Sequence, residues 1–238
     1  MPDSSTDQSI KNHILRSISA DALERLLPSL ELVELPQGMT IYEAETQVDQ
    51  IYLPQNSVVS VVSTTESGQF AEAGIIGWEG ITGIEALLNG SLAINRYIVQ
   101  LKGVGYRADL AAIKGEFSRS GSFQAAVLSF TRSMLAQMSQ TALCNRLHVA
   151  EQRLSKWLLM CRDRSETDVL AITQEFAALT LGSNRVTLTQ AAGQLQDKGF
   201  IEYKRGNITV LDRKGLETFA CECYGRIKDE YNRYTLGS

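Results

Sequence analysis

Histidines, catalytic signatures and long apolar runs are scarce or missing in this sequence of 238 residues, which has 2 His and 4 Cys. No stretch approaches the roughly 18 consecutive apolar residues of a membrane span. The opening residues, MPDSSTDQSIKNH, contain no hydrophobic signal-peptide core. These absences predict a soluble protein of the cytoplasm, with no membrane partner and with free thiols.

The sequence also offers little from which to build a catalytic or metal site. It has no Gly-Ser nucleophile elbow and no phosphate-binding glycine loop. Cys221 and Cys223 are one residue apart in a predicted helix, where their side chains would point to different faces. His13 and His148 are interpreted as surface or helix-packing residues. We therefore predict no enzyme, no metal and no cofactor, and packing rather than redox roles for the two thiols.

The net charge of −4 argues at first against a nucleic-acid binder, but the charge is unevenly distributed. From Leu143 onward there are 14 Lys or Arg and 12 Asp or Glu, whereas residues 1–142 carry 9 and 15. Local potential, rather than the charge of the whole molecule, governs contact with phosphates. The composition is therefore compatible with DNA binding.

Residues 1–120 combine entry helices with many short strands. A helix pair is predicted over residues 8–30, with Ser19 or Asp21 as an N-cap. From Leu32 the apolar period changes to two, and VVSVVSTT and QFAEAGII flank a turn at Glu66 to Gly68. INRYIVQLKG and GYRADL continue this pattern. The expected fold class is α+β, with an N-terminal antiparallel β-barrel or jelly roll.

A long helix is predicted over residues 121–144. Its stripe of side chains advances by alternating steps of four and three, which is typical of a coiled-coil seam and favours a homodimer. A helix packed on its own barrel would show a similar stripe, and this alternative stays open. A second amphipathic helix over 145–164 and a polar surface loop, RDRSETDV, open a third domain, 145–238. The predicted dimer-helix residues are Phe123, Val127, Phe130, Met134, Met138 and Thr141.

Two short helices separated by a tight turn follow at residues 173–199. Thr173 is a candidate N-cap for the first, Gly182 supplies the turn, and Ser183 or Asn184 can cap the second. In the second helix Val186, Ala191 and Leu195 are spaced for packing, and Arg185, Leu188, Thr189 and Gln190 are left for the outer face. This order predicts a helix-turn-helix whose second helix enters the major groove.

A basic hairpin, FIEYKRGNITVL, completes the pattern of a winged helix-turn-helix. Its tip would bind phosphates; the alternative is an ordinary solvent-exposed hairpin turn. Arg185 could pair with guanine and Gln190 with adenine, while Thr187 and Thr189 could hold phosphates. The full set of predicted DNA-contacting residues is Thr173, Ser183, Asn184, Arg185, Val186, Thr187, Thr189, Gln190, Lys204 and Arg205.

The stretch from Leu143 to Arg213 resembles the C-terminal domain of the Crp/Fnr family of bacterial transcription factors. The matching positions include Thr173, Glu175, Gly182, Arg185 and Gly199, and the order of barrel, long helix and winged domain also agrees. The resemblance implies a homodimer that binds an inverted repeat in double-stranded DNA near a promoter, with RNA polymerase as a further partner. Two departures, Val186 where the family has Glu and Gln190 where it has Arg, predict a different operator.

The resemblance also implies an effector pocket in the barrel. Cyclic-nucleotide members of the family hold the ribose with a Glu in a Gly-Glu-Leu turn and the phosphate with an Arg about ten residues later. If Glu79 is the ribose Glu, the residue ten positions later is Asn89. If residues 83–85 are aligned with the turn instead, Ile84 takes the Glu position and the Arg position falls at residues 93–95, so only Arg96 could serve, through a longer loop. We therefore predict an unknown small-molecule effector other than cyclic AMP, with Trp78, Glu79, Glu85 and Arg96 as candidate pocket residues, although a turn and its packing are the simpler interpretation of Trp78 and Glu79.

A second function remains open at this point. The chain could be an effector-binding module whose winged domain contacts another protein. Val186, Gln190 and the small excess of positive charge in the C-terminal part would suit such a contact. Steep salt dependence of DNA binding would separate the two functions, because phosphate contacts release counterions.

Overall fold

The computed structural model describes residues 10–165 and 167–236. Two entry helices, α1 (His13–Ser17) and α2 (Ala20–Leu26), are followed by a 3-10 turn at Leu27–Ser29. Ser19 is the N-cap residue of α2, as predicted. The described residues contain no helix that is long and apolar enough to cross a membrane.

Seven antiparallel strands in two sheets form the N-terminal unit, which is called the sensor unit after its predicted role. The strands are β1 (Glu31–Leu35), β2 (Thr40–Tyr42), β3 (Gln50–Pro54), β4 (Val58–Thr64), β5 (Phe70–Ile76), β6 (Arg96–Leu101) and β7 (Gly103–Asp109). One sheet has the order β1-β7-β3 and the other β2-β6-β4-β5. A short helix, α3 (Ile84–Leu87), interrupts the run between β5 and β6. The unit is thus a two-sheet jelly-roll arrangement, and the predicted hairpin between β4 and β5 is confirmed.

Strand β4 is buried on both faces over its first five residues, and this has a structural reason. Val59 and Val61 belong to the core between the sheets and the entry helices. Val58 belongs instead to the core of the C-terminal domain, which packs on the outside of the same sheet. The sheet therefore lies between two hydrophobic cores.

Two helices follow the strands and close the sensor unit. They are α4 (Leu110–Phe117) and the long α5 (Ser122–Leu147). Phe123, Val127, Phe130 and Met134 on α5 are at most 5% exposed and belong to the core of the sensor unit. These residues pack within one chain, so their prediction as a dimer seam is wrong, because the same helical spacing serves an intramolecular contact.

The C-terminal domain is a winged helix-turn-helix flanked by helices. Its elements are α6 (Ala150–Ser165), β8 (Val169–Leu170), α7 (Gln174–Thr180), α8 (Arg185–Asp197), β9 (Ile201–Lys204), β10 (Asn207–Val210), α9 (Arg213–Phe219) and α10 (Cys223–Leu236). The wing sheet has the order β8-β10-β9. The side chains of Gln174, Glu175 and Leu179, and residues 1–9, lie outside the described part of the chain.

Two helix boundaries differ from the sequence prediction. The helix predicted over 145–164 is broken at His148 and Val149, and it continues to Ser165, so that Arg162 to Arg164 are helical instead of forming a surface loop. The helix predicted around Cys221 ends at Phe219 and restarts at Cys223. Residues 220–222 are not helical. The side chains of Cys221 and Cys223 therefore need not point to different faces, as they would in a continuous helix.

Candidate functional site

The helix-turn-helix is built by local capping. The amide of Phe176 donates to Thr173 Oγ1 at 3.1 Å, and the amide of Thr187 donates to Asn184 Oδ1 at 2.8 Å. Gly182 between the helices has φ +57°, a left-handed conformation that glycine adopts without strain. Thr173 and Asn184 therefore act as the predicted N-caps, and Asn184 rather than Ser183 caps α8.

Helix α8 turns one polar face outward. Arg185, Thr189 and Gln190 are exposed, and Ser183 and Thr187 are half-buried at its N-terminal end. The guanidinium of Arg185 forms no ion pair with any residue of the described ranges. The N-terminal half of α8 thus carries accessible donors and acceptors.

Two residues of α8 exchange their predicted positions. Leu188 is only 1% exposed and packs in the domain core, whereas Val186 is 66% exposed. The assignment of Leu188 to the outer face and of Val186 to packing was therefore wrong. Leu188, Ala191 and Leu195 follow one another at the spacing of one helix face, which places Val186 on the opposite side.

The wing is a two-residue hairpin. Lys204 pairs with Asn207 across it, and Arg205 and Gly206 between them have φ +51° and +80°. Two consecutive positive φ angles are characteristic of a type I′ turn, whose twist matches that of the strands. Lys204 and Arg205 are both exposed at this tip. The wing therefore presents two cations beside α8.

The opposite side of the C-terminal domain is docked on the sensor unit by a buried ion pair. Arg164 Nε of α6 donates to Glu79 Oε1 at 2.6 Å, and the two side chains are 4% and 1% exposed. Burial is the largest single influence and lowers the pKa of Arg164, but Glu79 together with Tyr231 and Asp163 outweighs it, so the pKa is raised. Gly77 lies under this pair, since a Cβ there would be 2.6 Å from Arg164 Cβ. A glycine is thus required for the close approach of α6.

A second buried carboxylate holds α6 on strand β5. Glu72 accepts from Trp157 Nε1 at 2.8 Å and from Ser60 Oγ at 2.6 Å. Burial raises the pKa of Glu72 to about 7, although both donors favour the charged form. No motif in the sequence marked Glu72, Trp157 or Arg164 as interface residues.

An apolar cavity of about 410 Å³ lies between the sensor unit and α5. Glu85 is the charged residue of its lining, and it accepts from the Ile94 amide at 3.1 Å and from the Tyr97 hydroxyl at 3.0 Å. No Lys or Arg is among the lining residues. The side chains that define the cavity are mainly apolar, namely Ile84, Leu88, Leu92, Ile94, Met134, Leu135 and Met138.

Of the four residues predicted for an effector pocket, only Glu85 lines this cavity. Glu79 is engaged by Arg164, and the Trp78 indole donates to the Asp163 carbonyl oxygen at 3.3 Å, so both belong to the interface with α6. Arg96 is held by Glu43 Oε2, 3.1 Å from its Nε, and by Thr40 Oγ1. Trp78, Glu79 and Arg96 are therefore not cavity residues, and the simpler interpretation of Trp78 and Glu79 as a packed turn fits the structure.

Residues 152–219 match the family model of the Crp-like helix-turn-helix domain. The global nitrogen regulator of Synechococcus elongatus is 22% identical over 201 residues, which cover 79% of this chain and 88% of that protein.

Solved structures share the fold over most of the chain. FixK2 from Bradyrhizobium japonicum has a TM-score of 0.68 at 14% identity, covering 81% of this chain and 98% of its own. A transcriptional regulator of the Crp/Fnr family from Eubacterium rectale has a TM-score of 0.67 at 16% identity, covering 87% and 96%. Residues 152–219 thus form a Crp-like helix-turn-helix domain, and the jelly-roll unit, long helix and winged domain share their fold with Crp/Fnr transcription regulators.

Proposed function

We propose that this chain is a homodimeric, sequence-specific regulator that reads an inverted repeat in DNA and responds to an uncharged, mainly apolar effector. The observation that carries the proposal is the exposed N-terminal face of α8, with the cationic wing tip beside it. Major-groove readers place this part of the second helix at base edges, and their flanking cations contact phosphates.

Arg185 and Gln190 are the base-reading side chains of the proposal. A guanidinium can donate two hydrogen bonds to guanine O6 and N7, and a carboxamide can pair with adenine N7 and N6. Val186 lies exposed between them and suits contact with a thymine methyl group. Thr173, Ser183, Thr187 and Thr189, together with Lys204 and Arg205 of the wing, are assigned to phosphates or to the positioning of α8.

The dimer contact uses the exposed edge of α5, part of which also borders the apolar cavity. Leu128, Leu135 and Ala142 are exposed and seven residues apart, and Thr131 and Met138 lie between them at steps of three and four. This is the spacing of a two-stranded coiled coil. Analytical ultracentrifugation should show a dimer that Leu135→Glu dissociates. The control variant Leu32→Glu, at another exposed leucine, should stay dimeric.

The lining of the cavity supports an effector other than a cyclic nucleotide. A cyclic phosphate would lie beside the Glu85 carboxylate without a cationic partner, and a buried charge without a partner is costly. We expect no heat of binding with cyclic AMP in calorimetry. The uncharged probe N-phenyl-1-naphthylamine should bind with enhanced fluorescence, and Leu92→Trp, which fills the cavity, should abolish this signal.

DNA recognition is tested first by selecting, from a pool of duplexes of random sequence, those that the protein binds. We expect an inverted repeat whose half-sites differ from those of regulators with Glu and Arg at positions 186 and 190. Affinity for the selected duplex should fall about 10³-fold or more between 50 and 200 mM salt if the dimer makes about six phosphate contacts. A flat salt dependence, or no enriched sequence, would contradict DNA reading and favour contact of the winged domain with a protein.

A further inference from the structure

Three cysteines and one histidine meet at the C-terminal end of α5. Cys144 lies in the last turn of α5, His148 follows it, and Cys221 and Cys223 lie at the junction of α9 and α10. One potential ligand atom from each residue lies within 4.8 Å of the other three. The three thiols are buried, and the His148 side chain is 13% exposed. Cys144 and Cys221 are 77 positions apart in the sequence, so only the fold brings the cluster together.

Two distances within this Cys/His cluster are close to those between the ligands of a tetrahedral site. Cys144 Sγ lies 3.5 Å from Cys221 Sγ, and Cys223 Sγ lies 3.4 Å from His148 Nδ1. Zinc bonds of about 2.3 Å to sulfur and about 2.0–2.1 Å to nitrogen place the corners of a tetrahedron about 3.5–3.8 Å apart. The sulfur separation is also far beyond the roughly 2.05 Å of a disulfide bond.

Two further contacts orient the side chains of His148 and Cys223. His148 Nε2 lies 3.2 Å from Glu222 Oε2, so an Nε2–H donating to this carboxylate leaves the lone pair of Nδ1 directed toward Cys223. The side-chain amide of Gln140 donates to Cys223 Sγ at 3.2 Å. A carboxylate behind a histidine ligand is a recurrent feature of zinc sites, where it fixes the tautomer and raises ligand basicity.

We propose that Cys144, His148, Cys221 and Cys223 bind one Zn²⁺ ion per chain. Three sulfur ligands and one imidazole suit zinc and exclude the hard cations Mg²⁺ and Ca²⁺, which take oxygen ligands. Each thiol releases its proton to solvent as its sulfur bonds to the metal, and no electron is transferred. Four protein ligands close the coordination sphere, as in structural rather than catalytic zinc sites.

The charge of the surroundings is complementary to such a site. Three thiolates and Zn²⁺ have a net charge of −1, and the cationic side chains of Arg153 and Lys156 on α6 are both close enough to interact electrostatically with Cys144. The metal would join the end of α5 to the start of α10; these two helices also contact each other, and α10 contacts α6. It would therefore hold the helix break at His148 and Val149, where the long helix meets the winged domain. This inference does not depend on the proposed operator or effector.

The test is the metal content of the full-length protein, purified under reducing conditions without chelator. Plasma mass spectrometry should find one zinc per chain, and the variants Cys144→Ser, Cys223→Ser and His148→Ala should each lose it. Cys161→Ser is the matched control, because Cys161 is equally buried but outside the cluster, where it accepts from Gln100. This variant should keep its zinc.

Cobalt replacement keeps the inference testable if a variant fails to fold. Protein freed of zinc and loaded with Co²⁺ should show the intense visible bands of tetrahedral coordination and near-ultraviolet sulfur-to-cobalt charge transfer. Absence of both zinc and these bands in the parent protein would overturn the site. So would a Cys144–Cys221 disulfide in the native protein, or iron with the absorption of an iron–sulfur cluster.

Discussion

The winged domain has two sides with opposite chemistry. Its outer side exposes Arg185, Gln190 and the wing cations, and its inner side buries Arg164 and Trp157 against carboxylates of the sensor unit. On the outer side a charge is solvated until a partner arrives, so it costs little in the isolated protein. On the inner side each charge depends on one specific partner, so its loss destabilises the protein. Substitutions on the two sides should therefore differ in kind as well as in size.

The largest effect is expected at the buried ion pair. Arg164→Ala leaves the Glu79 carboxylate without its cation in a site that is 1% exposed, which should cost about 3–5 kcal/mol of unfolding free energy in urea denaturation. The double variant Glu79→Met with Arg164→Met should recover most of this loss, because it leaves no unpaired charge. A loss below about 1 kcal/mol for Arg164→Ala would show that the interface opens to water instead.

The second effect is a pH dependence that originates at Glu72. Because the folded pKa is about 7 and the unfolded value about 4.5, the folded state binds more protons between these values. The stabilising effect of the protonated carboxyl is present below about pH 4.5 and is lost as pH rises through 7. The unfolding free energy of the parent protein should fall by about 3 kcal/mol as the pH rises through this window. Glu72→Gln should flatten the profile, whereas the exposed control Glu66→Gln should leave it unchanged.

On the outer side, Arg185→Ala should leave stability unchanged and reduce discrimination at one base pair of each half-site by about 1–3 kcal/mol. Competition between the selected duplex and single-base variants measures this effect. Arg16→Ala, an exposed arginine on α1, is the matched control and should bind like the parent. An equal loss of affinity for every duplex would indicate that Arg185 contacts a phosphate rather than a base.

The smallest effect is expected at the wing tip. Arg205→Gly removes one charge but keeps the turn, since glycine readily adopts the φ of +51° found there. The slope of log affinity against log salt should decrease by about 0.9 for each phosphate that the variant no longer neutralises, without a change in sequence preference. An unchanged slope would show that Arg205 contacts no phosphate in the complex.

The sequence predicted the outer side of the winged domain better than the inner side. N-caps at Thr173 and Asn184 and the turn glycine Gly182 are local signals, and each acts where it was predicted. Leu188 and Val186 were exchanged because the start of α8 was clear but its rotation relative to the core was not. Arg164 was placed where a predicted helix meets a polar loop, and not at an interface, because a single charged residue gives no sign of a distant partner.

Patterns shared by two kinds of packing also limited the prediction. The stripe of Phe123, Val127 and Phe130 fits a dimer seam and an intramolecular core equally well, and only the position of the sheet decides between them. No glycine or proline marks the break between α9 and α10, so the approach of Cys221 and Cys223 had no local signal. Long-range packing determines both features.

Helix α5 connects regions that are far apart in the molecule. Its 26 residues span about 39 Å at 1.5 Å per residue. Met138 lines the cavity, and Cys144, six residues further on, lies in the Cys/His cluster about 9 Å along the axis. A continuous hydrogen-bonded helix resists compression along this distance, so a molecule that displaces α5 at the cavity also displaces its far end. Under the proposed function, α5 would thus carry a displacement from the effector cavity to the helix break at His148 and Val149, where the winged domain begins.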